Sequence, residues 1–225
     1  MRILFGDRLY CALLNQGLVE MLIIVDYDAG NLRSVLRACE HVGIAARISA
    51  DPADVMGADR LIFPGVGSAE SAIDTLRERG LDKAIKGFFK TGKPMLGICL
   101  GSQVVLDYSE EGRRDCLGLV RGVVQKFDLP DKALKVPHIG WNEVEFVKPH
   151  PLLKQVESGD EFYFVHSYYT LPASTEDIYG TTDYGGEFCS MLGRDNLFAT
   201  QFHLEKSGEK GLSILAEFGH WDGRV

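Results

Sequence analysis

MLGICLGSQ, residues 95–103, is the stretch that decides how this chain folds. An apolar run ends at a cysteine set between Gly97 and Gly101, and a helical pattern then begins with Gln103, Val104 and Leu106. This is a buried strand delivered into a helix through a sharp turn, and only small neighbours permit such a turn. The geometry lifts the residue at the tip, Cys99, clear of the sheet and aims free backbone N–H groups at the same spot. A free thiol titrates near about 8.5, and a helix N-terminus favours its thiolate. Cysteine is also a small buried hydrophobe, and Cys39, Cys116 and Cys189 read that way. The glycine bracket at the carboxyl end of a parallel strand sets Cys99 apart.

Working outward, short β-branched runs alternate with helical stretches: LIIVDYD (22–28), NLRSVLRACEHVG (31–43), AARISA (45–50), DRLIFPG (59–65) and KPMLGIC (93–99). Leu32, Val35, Leu36, Cys39 and Val42 recur at helical spacing and form one apolar stripe, which Gly43 ends at a C′ position. Ala69, Ala72, Ile73 and Leu76 repeat the stripe, followed by Leu81, Ile85 and Phe88. Near-continuous apolar strands separated by helices predict a mostly parallel sheet covered on both faces, a three-layer α/β sandwich. Beyond Gly122 the grammar changes. VVQKF, NEVEFV, EFYFVHSYYT, TTDYGGEFCSML and NLFATQFH follow as successive strands, so the second half reads as β-rich and antiparallel or mixed. GLSILAEF reads as a closing helix.

At 225 residues and 45% hydrophobic content the chain can bury a large core. Lys and Arg total 24 against 32 Asp and Glu, a formal charge of −8. That balance disfavours nucleic acid, which requires a basic face. Five cysteines at irregular spacing, with no CxxC pair, argue against a disulfide framework or a zinc site and fit a reducing cytoplasm. No apolar run approaches the roughly 18 residues of a membrane helix. Residues 1–20 show neither a long apolar region nor a cleavage site and read as an N-terminal extension dispensable for folding and activity. Residues 21–225 read as one domain.

A cysteine nucleophile needs a base. In NLFATQFHLEKSG, strand periodicity would turn Phe198, Phe202 and Leu204 to the core and Gln201, His203 and Glu205 the other way. A carboxylate beside an imidazole can orient the ring and stabilise the imidazolium formed when a thiol gives up its proton. The same pair lacks a third metal ligand. PGVGS (64–68) follows a strand and precedes a helix; it lacks the spacing of a phosphate loop and reads either as an oxyanion-donor loop or as an ordinary turn.

Together PGVGS, GICLGSQ and QFHLEKSG, in this order, resemble the class I (triad) glutamine amidotransferases. DYDAGNLRS (26–34) and KVPHIGWNEV (135–144) are similar to motifs of the glutaminase subunits of imidazole glycerol phosphate synthases, over nearly all of residues 21–220. The resemblance implies a flavodoxin-like sandwich in which Cys99 attacks the amide of L-glutamine, His203 shuttles the proton and Glu205 orients it, through a thioester. It implies an oxyanion hole from the N–H groups of Leu100 and Gly67, with the Val66 peptide turning to aim one donor, and glutamine held by Gln103, Glu111, Ser167 and Tyr168. It further implies a (β/α)8 cyclase partner facing Asn31, Trp141, Asn142 and Lys206. That partner receives ammonia and makes imidazole glycerol phosphate and an aminoimidazole carboxamide ribotide, with no cofactor or metal in this chain. The isolated subunit is then expected to turn over slowly until docking, together with ligand on the cyclase, organises PGVGS.

Three positions depart from the pattern. Leu204 stands where proline is common and is expected to loosen the turn after His203; Ser102 replaces a common methionine and Ala69 a common phenylalanine. Rival readings are a cysteine hydrolase or another amidotransferase subunit, such as those serving pyridoxal phosphate or anthranilate formation, and a non-catalytic assembly subunit. PHIGWN with PGVGS disfavours the first, and the intact Cys99, His203 and Glu205 disfavour the second.

Overall fold

The computed structural model describes residues 20–131 and 133–225. Expectations about residues 1–19, Cys11 included, lie outside them.

The first half alternates as its patterning predicts. Strand β1 (Leu22–Val25) leads to α1 (Leu32–His41), then β2 (Ala46–Ser49), α2 (Pro52–Gly57) and β3 (Arg60–Gly65). Helices α3 (Ala69–Glu78) and α4 (Leu81–Phe89) follow, then β4 (Met95–Cys99) running directly into α5 (Leu100–Val104). Gly43, at φ +80°, ends α1 as expected. Helix α2 is absent from the sequence reading: it is one short turn and a half, started by Pro52 and by the Asp51 carboxylate accepting from Ala53 N at 2.8 Å.

The second half comprises β5 (Tyr108–Ser109), β6 (Arg114–Asp115), β7 (Gly122–Lys126), β8 (His138–Phe146), β9 (Asp160–His166), β10 (Tyr168–Pro172), β11 (Ile178–Asp183), β12 (Glu187–Arg194), β13 (Leu197–Thr200) and the closing helix α6 (Gly208–His220). The run EFYFVHSYYT is two strands rather than one. It breaks at Ser167 because the chain changes partner there, β9 pairing with β8 and β10 with β7 and β12.

The described strands form one sheet in the order β2-β1-β3-β4-β13-β12-β10-β7-β5-β6, with β11, β8 and β9 branching from β12. From β2 to β13 all pairings are parallel; β13 onto β12 begins the antiparallel part. Alternation along β1 sends Ile23 and Val25 to one face and Leu22 and Ile24 to the other. On the first face they meet Ile73, Leu76, Ile85 and Phe88 of α3 and α4. On the second they meet Val35 and Cys39 of α1 with Ile214, Leu215 and Phe218 of α6. These are the three layers. At about 25 cal/mol per Å² of apolar surface, the two buried faces are the main favourable term in folding. They also force the carboxyl ends of β3, β4 and β13 to be where polar groups collect.

Candidate active site

Cys99 is the last residue of β4, with φ 53° and ψ −108°, a strained backbone for a non-glycine residue. Packing dictates the glycines beside it. A Cβ on Gly101 would lie 1.8 Å from the Phe63 carbonyl oxygen, and one on Gly97 would lie 2.9 Å from Ala199 Cβ. Strand and helix therefore approach closely enough to force the sharp turn, and Cys99 is left 6% exposed at the floor of a cleft.

The strand expected to carry His203 stops at Thr200. Phe198, Phe202 and Leu204 are buried as parity suggested, but His203 and Glu205 meet through a 3-10 turn, Leu204–Lys206, rather than across a pleat. The His203 carbonyl accepts from Lys206 N at 3.1 Å and from Ser207 Oγ at 2.6 Å, which closes the turn. Leu204, where proline is common, is fully buried in the core within this turn.

His203 Nδ1 and Glu205 Oε1 lie 2.7 Å apart, with both side chains all but sealed from solvent. The carboxylate thus fixes a proton on Nδ1 and leaves Nε2 for the sulfur. Nε2 is buried without a hydrogen bond of standard geometry, as is common for catalytic contacts that tighten only with substrate. Burial alone would lower the His203 pKa; hydrogen bonding and charge from Cys99 and Glu205 outweigh it and push it up to about 10. Thiol, imidazole and carboxylate therefore form one electrostatic unit.

The cleft, about 410 Å³, is lined by Cys99, Leu100, Gly67, Gln103, Glu111, Ser167, Tyr168 and Lys206, so the residues proposed for oxyanion and glutamine contacts line one cleft with the sulfur. Gly67 has φ +107°. Its loop is clamped from the DYDAGN side: Tyr27 Oη donates to Pro64 O at 2.7 Å, and Gly30 packs so closely on Val66 that a Cβ would meet Cγ2 at 2.9 Å. Glu111 reaches the first turn of α3, where Oε2 accepts from Ala69 N at 2.7 Å, and burial raises its pKa.

Of the four residues expected to face a partner, Trp141 is 53% exposed beside Ile139 at 60%. Lys206 is exposed, its Nζ 5.6 Å from the Tyr163 ring centroid. Asn142 is half-buried and donates to Asp183 O at 2.9 Å. Asn31, in a left-handed conformation ahead of α1, turns its amide inward to donate to Glu205 Oε1. It therefore links the DYDAGN loop to the carboxylate.

Gln201 and His166 enter the site without having been assigned a role from the sequence. Gln201 Nε2 lies 3.8 Å from Cys99 Sγ, and its Oε1 accepts from Gln103 Nε2 at 3.1 Å. Strand parity had put Gln201 on the His203 face, and that was the available signal. Among the described residues no group of three His, Cys, Asp or Glu could hold a metal, and no helix is long and apolar enough to cross a membrane.

A profile of the family described as "Glutamine amidotransferase class-I" matches residues 23–220. The imidazole glycerol phosphate synthase subunit HisH of Desulfovibrio desulfuricans is 49% identical over 88% of this chain and 93% of its own length. The HisH subunits of Rhodopirellula baltica and Neisseria meningitidis serogroup B are 48% and 46% identical, again over 88% of this chain, and are covered over 96% and 98% of their lengths. Among solved structures, PurLQS from Thermotoga maritima superposes with a TM-score of 0.68 at 17% identity, over 89% of this chain and 97% of that one. A structure described as glutamine amidotransferase superposes with a TM-score of 0.66 at 16% identity, over 88% and 99%. The structural likenesses establish the flavodoxin-like sandwich, and sequence does the rest: the chain belongs to the class-I glutamine amidotransferases, among the HisH subunits of imidazole glycerol phosphate synthase.

Proposed function

We propose that this chain hydrolyses L-glutamine to glutamate and ammonia and hands the ammonia to a (β/α)8 cyclase. That partner makes imidazole glycerol phosphate and an aminoimidazole carboxamide ribotide in histidine biosynthesis. The observation that carries the reading is the His203–Glu205 pair, sealed from solvent and electrostatically joined to a cysteine on a strained strand-to-helix turn.

In this reading His203 Nε2 takes the Cys99 proton and the thiolate attacks the side-chain amide carbon. Backbone N–H groups of Leu100 and Gly67 hold the developing oxyanion, the latter once the Val66 peptide has turned. The imidazolium then protonates the leaving nitrogen, ammonia departs and a γ-glutamyl thioester remains. Water, deprotonated by His203, cleaves the thioester to glutamate and restores the thiol. Glu205 keeps the imidazole in one tautomer and stabilises its charged form. Gln103, Glu111, Ser167 and Tyr168 hold the amino-acid end of glutamine.

Ammonia released into neutral water is mostly protonated and loses its nucleophilicity, so the product must pass directly to a partner. The exposed apolar pair Ile139 and Trp141 on β8, with Lys206 beside the cleft, supplies the docking face. The contact of Gly30 with Val66 lets docking at the DYDAGN loop reach the oxyanion loop, which supports slow turnover by the isolated subunit. Residues 21–225 act as one amidotransferase domain, with 1–20 an extension. Free thiols at Cys39, Cys99, Cys116 and Cys189 support a cytoplasmic setting.

The test is Cys99→Ala in the complex with the cyclase. Glutamine-dependent synthesis is expected to vanish while synthesis from added ammonium continues. Loss of both, or survival of the first, overturns the reading.

A further inference from the structure

Among the described residues, the Cys99 sulfur has one side-chain amide within reach, Gln201 Nε2 at 3.8 Å. Gln201 is 1% exposed, and both ends of its amide are spent inside the site. A buried amide costs stability unless fully bonded, and a methionine or leucine would fill the same space. Its direction is not free. Gln103 donates from Nε2 to Tyr168 O at 2.8 Å and to Gln201 Oε1 at 3.1 Å, so the Gln201 oxygen must face Gln103 and its N–H must face the sulfur.

The same logic continues away from the site. Tyr168 O also meets His166 Nδ1 at 2.8 Å, which places the proton of a neutral ring there and leaves Nε2 as an acceptor. His138 Nδ1, 3.2 Å away, then donates to it, and His138 Nε2 accepts from Asn142 Nδ2 at 3.4 Å. His138 and His166 are 3% and 6% exposed, and burial holds both rings neutral, with pKa values down at about 4 and about 3. Reversing any member would set lone pair against lone pair or N–H against N–H.

We propose that Gln201 is a positioning residue for the nucleophile: its N–H, kept in one direction by Gln103, whose own amide is set by the Tyr168 carbonyl that also anchors the His166–His138 pair, steers the Cys99 sulfur and favours its thiolate. The proposal rests on Cys99 being the nucleophile.

Gln201→Glu keeps the oxygen that Gln103 needs and removes the donor from the sulfur; Gln201→Met removes both. The experiment measures, in the complex with the cyclase, the pH dependence of Cys99 alkylation by iodoacetamide and the kinetics of glutamine hydrolysis, with Cys99→Ala as the blank. Gln201→Glu is expected to raise the alkylation midpoint by about one pH unit or more and to lower kcat about 10- to 100-fold, with KM for glutamine nearly unchanged. Gln201→Met raises the midpoint less and also raises KM, because Gln103 loses a partner. A wild-type midpoint and kcat in either folded variant overturns the proposal. So does failure of both to fold, since a residue that only steers the sulfur is dispensable for folding. Glutamine hydrolysis surviving in Cys99→Ala would instead refute the nucleophile assignment on which the proposal rests.

Discussion

Strands β4 and β8 belong to one sheet and do opposite work. Every residue of β4 is buried, so its polar opportunity lies at its end, where Cys99 emerges. β8 alternates, with Val144 buried and Ile139 and Trp141 in solvent. Burial on both faces concentrates chemistry at a strand terminus; burial on one face leaves a surface that a second protein can cover. The histidines divide similarly. His203, at the end of the parallel part, is pushed up to about 10. Burial pushes His138 and His166, in the β8–β9 hairpin, down to about 4 and about 3.

The sharpest way to break this contrast is at the parallel apex. His203→Asn is expected to lower kcat for glutamine about 10³-fold, whereas the same change at an exposed histidine such as His41 leaves kcat alone. Gly101→Ala tests the packing behind the elbow. A Cβ 1.8 Å from the Phe63 carbonyl cannot be accommodated without backbone movement, so urea unfolding should show a loss of roughly 3 kcal/mol or more. Gly43→Ala, at φ +80° but in open space, should cost only about 1 kcal/mol.

On the antiparallel side, Trp141→Ala is expected to weaken affinity for the cyclase by about 10- to 100-fold in a titration. Its 53% exposure means that unfolding should barely move. An unchanged affinity would remove β8 from the docking face.

A last contrast concerns pH. A folded pKa of about 10 for His203 lies above the unfolded value near 6.5, so its stabilisation is full below about 6.5 and is lost as pH rises through about 10. His150, stacked on Phe198 and down at about 3 through burial and the nearby Lys148 charge, behaves in reverse. Its share is full above about 6.5 and is lost as pH falls toward about 3. Urea titrations across pH should therefore find the alkaline limb flattened in His203→Asn and the acid limb in His150→Leu. Limbs that stay put would refute the division.

The parallel half was legible from residues 22–99, the short α2 apart, because its strands and longer helices announce themselves by local periodicity, and the elbow needs only neighbours within a few positions. Gly43, Cys99 and the stripe of α1 lie where the pattern puts them. The turn at Leu204–Lys206 was misread as strand, since a 3-10 turn and a pleat can both expose His203 and Glu205 together. The break at Ser167 leaves no local trace, because an unbroken run of β-formers does not report a change of partner.

What residue order alone determined was the class of architecture, the nucleophile and the adjacency of imidazole and carboxylate, all properties of short segments. Only the folded molecule decided that Gln201 lies against Cys99, that Asn31 reaches Glu205, and that His138 and His166 become a buried neutral pair. Each of these joins segments that are far apart along the chain, or brought together by strand register, and each is set by where a sheet of two-sided strands ends. Side-chain periodicity encodes which way a residue points, but the identity of what it points at exists only once distant strands are in register.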